Sequence, residues 1–257
     1  MTLPLTTRRF RSILCAVDFS AQSAKALRYA AATAGTSGGR VTAIYAVDPL
    51  LSAAAAVAYD SGALESRALG DLERFVARTI AGKPAASIHC VVQVGAAGPV
   101  VLAYARRVRA SLIVMGTHGR RGAAKLFFGS TTEAVLRRFR GPVLAIPPRC
   151  RGPQPTWPGN SIVAAIDTGP HRRALLSAAA LMAEAFGAWL SVAPAVPATA
   201  TRCATRMIIL PLASRARLRM LLEGSGAYRF VCASRSPVLV LRAGTRAGAV
   251  IHPSRAA

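Results

Sequence analysis

Gly116, Gly119, Gly129, Ser130 and Thr131 follow the spacing Gly-x2-Gly-x9-Gly-Ser-Thr, and they come directly after an apolar run, Leu112-Ile113-Val114-Met115. A helical pattern opens at Ser130. A strand, a glycine-bearing loop and a helix start, in that order, form a cradle for a phosphate. Glycine lets the backbone come close to a ligand. The first N–H groups of a helix have no internal partner and face an anion. Ser130 and Thr131 add hydroxyls at the same place. Arg120 and Arg121 are the candidates for phosphate charge, since a guanidinium is always ionised, with exposed loop charge as the alternative. Lys125 shares their loop, and His118 is either a further donor or a solvent-facing loop histidine. The spacing is neither the dinucleotide fingerprint nor a Walker loop, because no Gly-Lys-Ser/Thr occurs. No Ser/His/Asp or Cys/His order suggests a nucleophile. None of the four histidines pairs with another at metal-ligand spacing. Efficient catalysis is not expected, although slow hydrolysis of a bound nucleotide stays open.

The elements that must position this loop are short apolar strands alternating with helices. Ser12–Val17 is a strand ending at Asp18, and Ser20 is a plausible N-cap for a helix over Ala21–Ala34. Val41–Val47 is a second strand. A mostly helical stretch spans Leu50–Gly82, a third strand Ser87–Val94 and a helix Val100–Arg109. Strand Ser111–Met115 leads into the glycine loop, followed by helix Ser130–Phe139 and a fifth strand, Val143–Ile146. This order predicts an α/β fold with an open, doubly wound, parallel five-stranded sheet. In such sheets ligands lie beyond the carboxyl ends of the strands. Asp18, Val47, Gly95 and Gly116 all stand at strand ends of that kind.

The loop motif and the strand order together resemble the universal stress protein family, in its ATP-binding subgroup, across residues 8–148. The resemblance implies the adenine nucleotide alpha hydrolase-like fold and ATP as ligand, with Mg²⁺. Asp18 would meet the adenine or ribose, and Val47 would meet adenine through its backbone. Gly116, Gly119, Arg120, Gly129, Ser130 and Thr131 would hold the phosphates. One departure is Ser111, which stands where the family usually has an acidic residue before the fourth strand. The resemblance implies a stress-response or regulatory module rather than a metabolic enzyme.

A proline- and glycine-rich stretch, 149–160, reads as a semi-extended linker. The first pattern then returns in shortened form over 161–242. Ser161–Ile166 ending at Asp167 echoes Ser12–Val17 ending at Asp18, and helix Arg172–Phe186 and strand Ala188–Val192 follow. Met207–Leu210 echoes Leu112–Met115, and Val238–Leu241 echoes Val143–Ile146. This is a degenerate tandem copy. Pro211 replaces Gly116, Ser214 replaces Gly119, and only Gly224-Ser225 keeps the motif's end. A proline has no N–H to offer a phosphate, so a second nucleotide site is not expected. The third strand of this copy is expected to be missing. The tail 243–257 reads as disordered. The apolar strands Val143–Ile146 and Val238–Leu241 are candidates to pair edge to edge, as an intrachain pseudo-dimer or across a homodimer.

The chain's formal net charge is +23, and beyond Glu133 only Asp167, Glu184 and Glu223 are acidic. Arginine is scattered rather than massed and aromatics are few. The surplus is therefore read as arginine on solvated faces, with nucleic acid or another polyanion as the alternative. The five cysteines, Cys15, Cys90, Cys150, Cys203 and Cys232, are odd in number and never at CxxC spacing. That argues against a disulfide framework and for a reducing cytoplasm. Cys15 and Cys90 are expected as buried small hydrophobes. Thr7-Arg8-Arg9-Phe10 faintly suggests a twin-arginine signal, but the apolar run after it is too short. No stretch approaches the ~20 apolar residues of a membrane span.

Overall fold

A computed structural model describes residues 10–58, 61–81, 88–118, 129–166, 171–194, 207–212, 231–232 and 234–242. The expectations for Gly119, Arg120, Arg121, Lys125, Asp167, Ser214, Gly224, Ser225 and the tail 243–257 fall outside these residues.

The first half alternates strand and helix: β1 (Ser12–Ala16), α1 (Ala21–Ser37), β2 (Arg40–Val47), α2 (Pro49–Ala58), α3 (Ser61–Ile80), β3 (Ile88–Val94), α4 (Ala97–Arg107), β4 (Leu112–Gly116), α5 (Ser130–Arg138) and β5 (Val143–Ile146). The second half gives β6 (Ser161–Ala165), α6 (Arg172–Ala185), β7 (Trp189–Ala193), β8 (Ile208–Leu212) and β9 (Val238–Arg242). These strands form one sheet in the order β3-β2-β1-β4-β5-β9-β8-β6-β7. Every described pairing is parallel except β5 with β9, where Leu144 faces Leu239 in antiparallel register. The two apolar strands expected to meet edge to edge thus do so within one chain.

The central strands are buried on both faces, as a parallel sheet requires, while the outermost, β3 and β7, are partly exposed. Alternate residues feed two cores. Ile13, Cys15, Val41, Leu112, Val114, Leu144 and Ile146 pack toward α1, α3 and α6. Leu14, Ile44, Ile113, Met115, Val143 and Ala145 pack toward α4 and α5. α1 shows why the helices form where they do. Ser20 caps its start by accepting from the Ser23 N–H at 3.1 Å, and Gly38 ends it in the left-handed region.

The helical stretch 50–82 holds two helices, and the apolar Leu50 and Leu51 of α2 stay exposed. One expectation is corrected: Cys90 is only half-buried. Pro211 lies inside β8, which continues to Leu212. β6 pairs only with Ile208 and Ile209, so at Pro211 only the β9 side carries a ladder. A proline is tolerated where one side of a strand is unpaired.

The stretch 149–160 is packed against the fold. Trp157 is 3% exposed. Its indole N–H donates to Thr33 Oγ1 at 3.0 Å, and its ring lies edge-on to Tyr29 and Phe186. Cys150 is buried beside the Tyr29 hydroxyl, 3.3 Å away. Burial pushes the Cys150 thiol up to about 11, against lesser opposing effects of the Tyr29 hydrogen bond and Lys25. Burial also raises Cys15, with the Asp18 charge adding to it. Both thiols are therefore expected to stay unmodified when the native protein meets a thiol reagent at pH 8, read by peptide mass spectrometry. A thiol harder to ionise in the folded state lends stability that is whole below the ordinary value of 9.0 and lost as pH rises, for Cys150 through about 11. The denaturation midpoint should fall across that interval, and less steeply in Cys150→Ser.

Candidate functional site

The order β3-β2-β1-β4-β5 reverses direction between β1 and β4, since β2 and β3 lie to one side and β4 and β5 to the other. That reversal opens a crevice at the carboxyl ends of the two central strands. The sequence places Asp18 at one lip and Gly116 at the other.

On the β1 side, the chain turns sharply through Phe19, a non-glycine residue with φ 63°. Asp18 Oδ1 accepts from the Ser20 N–H at 3.1 Å, which fixes the carboxylate at the start of α1. At the end of β2, Val47 is buried and its carbonyl accepts from the Gly95 N–H at 2.9 Å. Gly95 has φ 146°, and a side chain there would meet Val100 at 2.8 Å. Val47 is thus held at the crevice wall by the β3–α4 turn.

On the β4 side, Gly116 is wedged between α1 and its own loop. A Cβ there would lie 3.0 Å from Gln22 Cβ and 3.2 Å from the His118 carbonyl oxygen. Two hydrogen bonds close the base of the glycine loop. The Gly129 N–H donates to the Thr117 carbonyl at 2.9 Å, and Thr132 Oγ1 donates to the Gly116 carbonyl at 2.9 Å. Thr117 is fully buried and its N–H donates to the Ile146 carbonyl at 3.1 Å, tying the loop to β5. The start of α5 is thereby drawn to the mouth of β4, so Gly116, Gly129, Ser130 and Thr131 converge. His118 is turned to Thr117, with Nδ1 and Oγ1 2.9 Å apart.

α5 differs from α1 in its cap. Gly129 stands at the N-cap position and gives no side-chain cap hydrogen bond. Among the described residues no side chain answers the leading N–H groups of α5, whereas Ser20 answers α1, and such a helix start suits an anion. Glu133, the acidic residue of that first turn, is held by Arg137, whose Nε donates to it at 2.8 Å. Among the described residues no group of three His, Cys, Asp or Glu could hold a metal.

One residue of this crevice was not foreseen. Gln22, in the first turn of α1, has a buried Oε1 with no hydrogen-bond partner. An orphaned acceptor beside the Gly116 backbone calls for a donor, and the hydroxyls of a sugar meet that need. A cradle that a Cβ would fill, an uncapped helix and an orphaned acceptor fit a phosphorylated sugar such as a nucleotide. In the sequence, Gln22 looks like one more polar residue on a helix surface. Only the adjacency of β1 and β4, which brings the start of α1 against Gly116, marks it out. The Ser111 departure is also accounted for. Its hydroxyl donates to the Ser12 carbonyl at 2.8 Å and accepts from the Ser12 N–H at 3.1 Å, a neutral bridge between the starts of β1 and β4.

The universal stress protein family model matches residues 9–147. A universal stress protein A homolog 2 from Coxiella burnetii is 34% identical over 104 residues, covering 40% of this chain and 70% of its own. Among solved structures, a universal stress protein from Archaeoglobus fulgidus shares the fold with a TM-score of 0.60 at 17% identity, over 93% of this chain and 98% of its own. A functionally unknown protein from Pseudomonas aeruginosa does so with a TM-score of 0.61 at 18% identity, over 95% and 96%. Both superpositions extend beyond the first half into the second.

Proposed function

The chain belongs to the universal stress protein family, and we propose that its first half binds an adenine nucleotide, ATP with Mg²⁺, at the β1–β4 crevice. The observation that supports this most is the convergence of Asp18, Gly116 and the uncapped start of α5 at the point where the strand order reverses. In this reading Asp18 and the Val47 backbone take the adenosine. Gly116, Gly119, Gly129, Ser130 and Thr131 take the phosphates by N–H and hydroxyl donors, with Arg120 adding charge. Mg²⁺ bound with the nucleotide offsets phosphate charge. The bound nucleotide supplies a state, occupied or empty, that the protein reports as a stress-response or regulatory module.

The second half is read as a shortened copy without a site, since Pro211 replaces the glycine and removes its N–H. The test is mass spectrometry of nucleotide retained by the purified chain, followed by calorimetric titration. One equivalent of ATP per chain is expected. Two equivalents, or loss of all binding on Asp167→Ala alone, would overturn the assignment to the first half.

A further inference from the structure

At the edge of the sheet opposite the crevice, four neighbouring strands are each entered past an exposed arginine. In sheet order they are Arg40 at β2, Arg11 at β1, Arg109 at β4 and Arg140 at β5. Backbone contacts hold these entries together. The Arg40 N–H donates to the Arg11 carbonyl at 2.9 Å, Ser12 Oγ donates to the Val108 carbonyl at 3.1 Å, and the Ile113 N–H donates to the Pro142 carbonyl at 3.2 Å. Four strands at ~4.8 Å per step put the row across roughly 14 Å. α4 and α5 pack against each other, with a Cβ on Gly98 only 2.8 Å from Ala134 Cβ, and both end at this edge. They add the exposed Arg106 and Arg138. The nearest carboxylate along α5, Glu133, stands in the first turn of that helix and is held by Arg137.

The helix dipole accounts for arginines in the last turns of α4 and α5. It does not account for Arg11 and Arg40, which lead into β1 and β2; Arg140 lies two residues past the end of α5. Nor does stability account for Arg109. It takes φ 48° just past the end of α4, where the Ala110 N–H closes back on the Ala105 carbonyl at 2.8 Å. That is the position at which helices favour glycine, and a residue with a Cβ is kept there against the backbone's preference.

We propose that this arginine edge binds the phosphate backbone of double-helical nucleic acid, independently of the nucleotide crevice. Guanidinium forks suit phosphate oxygens, and a duplex presents about one charge per 1.7 Å of axis. Among the described residues the exposed large apolar side chains are Leu50, Leu51, Val94, Trp189 and Val192. None of these is at the four strand entries, so the described residues there offer no platform for stacking single-stranded bases and no apolar wedge for a membrane. Contact with phosphates alone predicts binding without sequence preference.

The test uses the full chain and a fluorescein-labelled mixed-sequence duplex of 20 base pairs, read by anisotropy from 50 to 200 mM salt. Comparison is with Arg11→Gln/Arg40→Gln/Arg109→Gly/Arg140→Gln and with a control quadruple, Arg67→Gln/Arg78→Gln/Arg172→Gln/Arg173→Gln. Wild type and control should bind with a log–log salt slope of about −4 to −6, and the edge variant should lose about three to four of that slope. The edge variant should also bind at least about a hundredfold more weakly at low salt while retaining ATP as wild type does. Failure of wild type to bind at 50 mM salt overturns the proposal. So does equal weakening of the edge and control variants. Tighter binding to phosphatidylserine vesicles or polyglutamate than to the duplex does the same. Retained ATP in the edge variant separates this outcome from failure of the nucleotide reading.

Discussion

Gly129→Val is expected to weaken ATP binding by at least about a hundredfold, roughly 3 kcal/mol, and to leave the fold in place. The reason lies at the start of α5. An N-cap side chain hangs over the leading N–H groups of its helix, as Ser20 does over the Ser23 N–H in α1. At α5 residue 129 is glycine and makes no such cap. An isopropyl group there brings nothing that can accept a hydrogen bond. Each anion contact with a helix start is worth about 0.3–1 kcal/mol and up to ~2 when partly buried, so losing several together gives the expected deficit. Stability should change little. Gly129 has φ −58° and ψ 146°, which any residue can adopt, and a poor N-cap costs on the order of 1 kcal/mol. Gly129→Asp makes the complementary case. Aspartate is a favoured N-cap and should raise the unfolding midpoint slightly, yet its charge should repel phosphate and abolish binding. Titration calorimetry and denaturant unfolding on both variants separate the effects. Unchanged ATP affinity in Gly129→Val would remove α5 from the site.

The parts of this fold that were legible in the sequence are those set by local chemistry. β1, β2, β4 and β5 are short apolar runs closed by Asp18, Asp48, Gly116 and Pro147, and a strand buried on both faces needs little more. The α2–α3 division was hidden because 50–58 is nearly all alanine, leucine and valine, so it carries no polar face to set a period. The site was legible in its backbone pieces, which demand glycine or a helix start. It was illegible in its joinery. The Thr132–Gly116 and Gly129–Thr117 bonds depend on how a loop closes, and Gln22 belongs to the crevice only through the β1–β4 adjacency. The arginine edge was invisible for a related reason. Its members are scattered along the chain and meet only when the strand entries are set side by side.

Trp157 gives the second large effect, and it concerns what joins the two halves. The stretch 149–160 has the composition of a loose connector, but composition reports local preference and says nothing of a contact made 124 residues away, such as the bond from the Trp157 indole to Thr33. Trp157 meets Tyr29 of α1 at 4.7 Å between ring centroids and Phe186, just past α6, at 6.3 Å. Phe186 in turn meets Phe10 at 4.9 Å. One side chain therefore seats elements of both halves in a common core. Trp157→Ala should cost about 3–5 kcal/mol, a large share of the ~5–15 kcal/mol that stabilises a domain. Trp157→Phe keeps most of the packing and loses the indole donor, so about 1 kcal/mol is expected. The chain's other tryptophan, Trp189, is 81% exposed and changes its surroundings little on unfolding. In a Trp189→Phe background, fluorescence follows Trp157 alone, and its emission should shift red in the same transition that circular dichroism follows. A shift well before the loss of helix signal would mean that the strap detaches on its own. If Trp157→Ala unfolded at the wild-type denaturant concentration, the connector would have no part in holding α1 and α6 together.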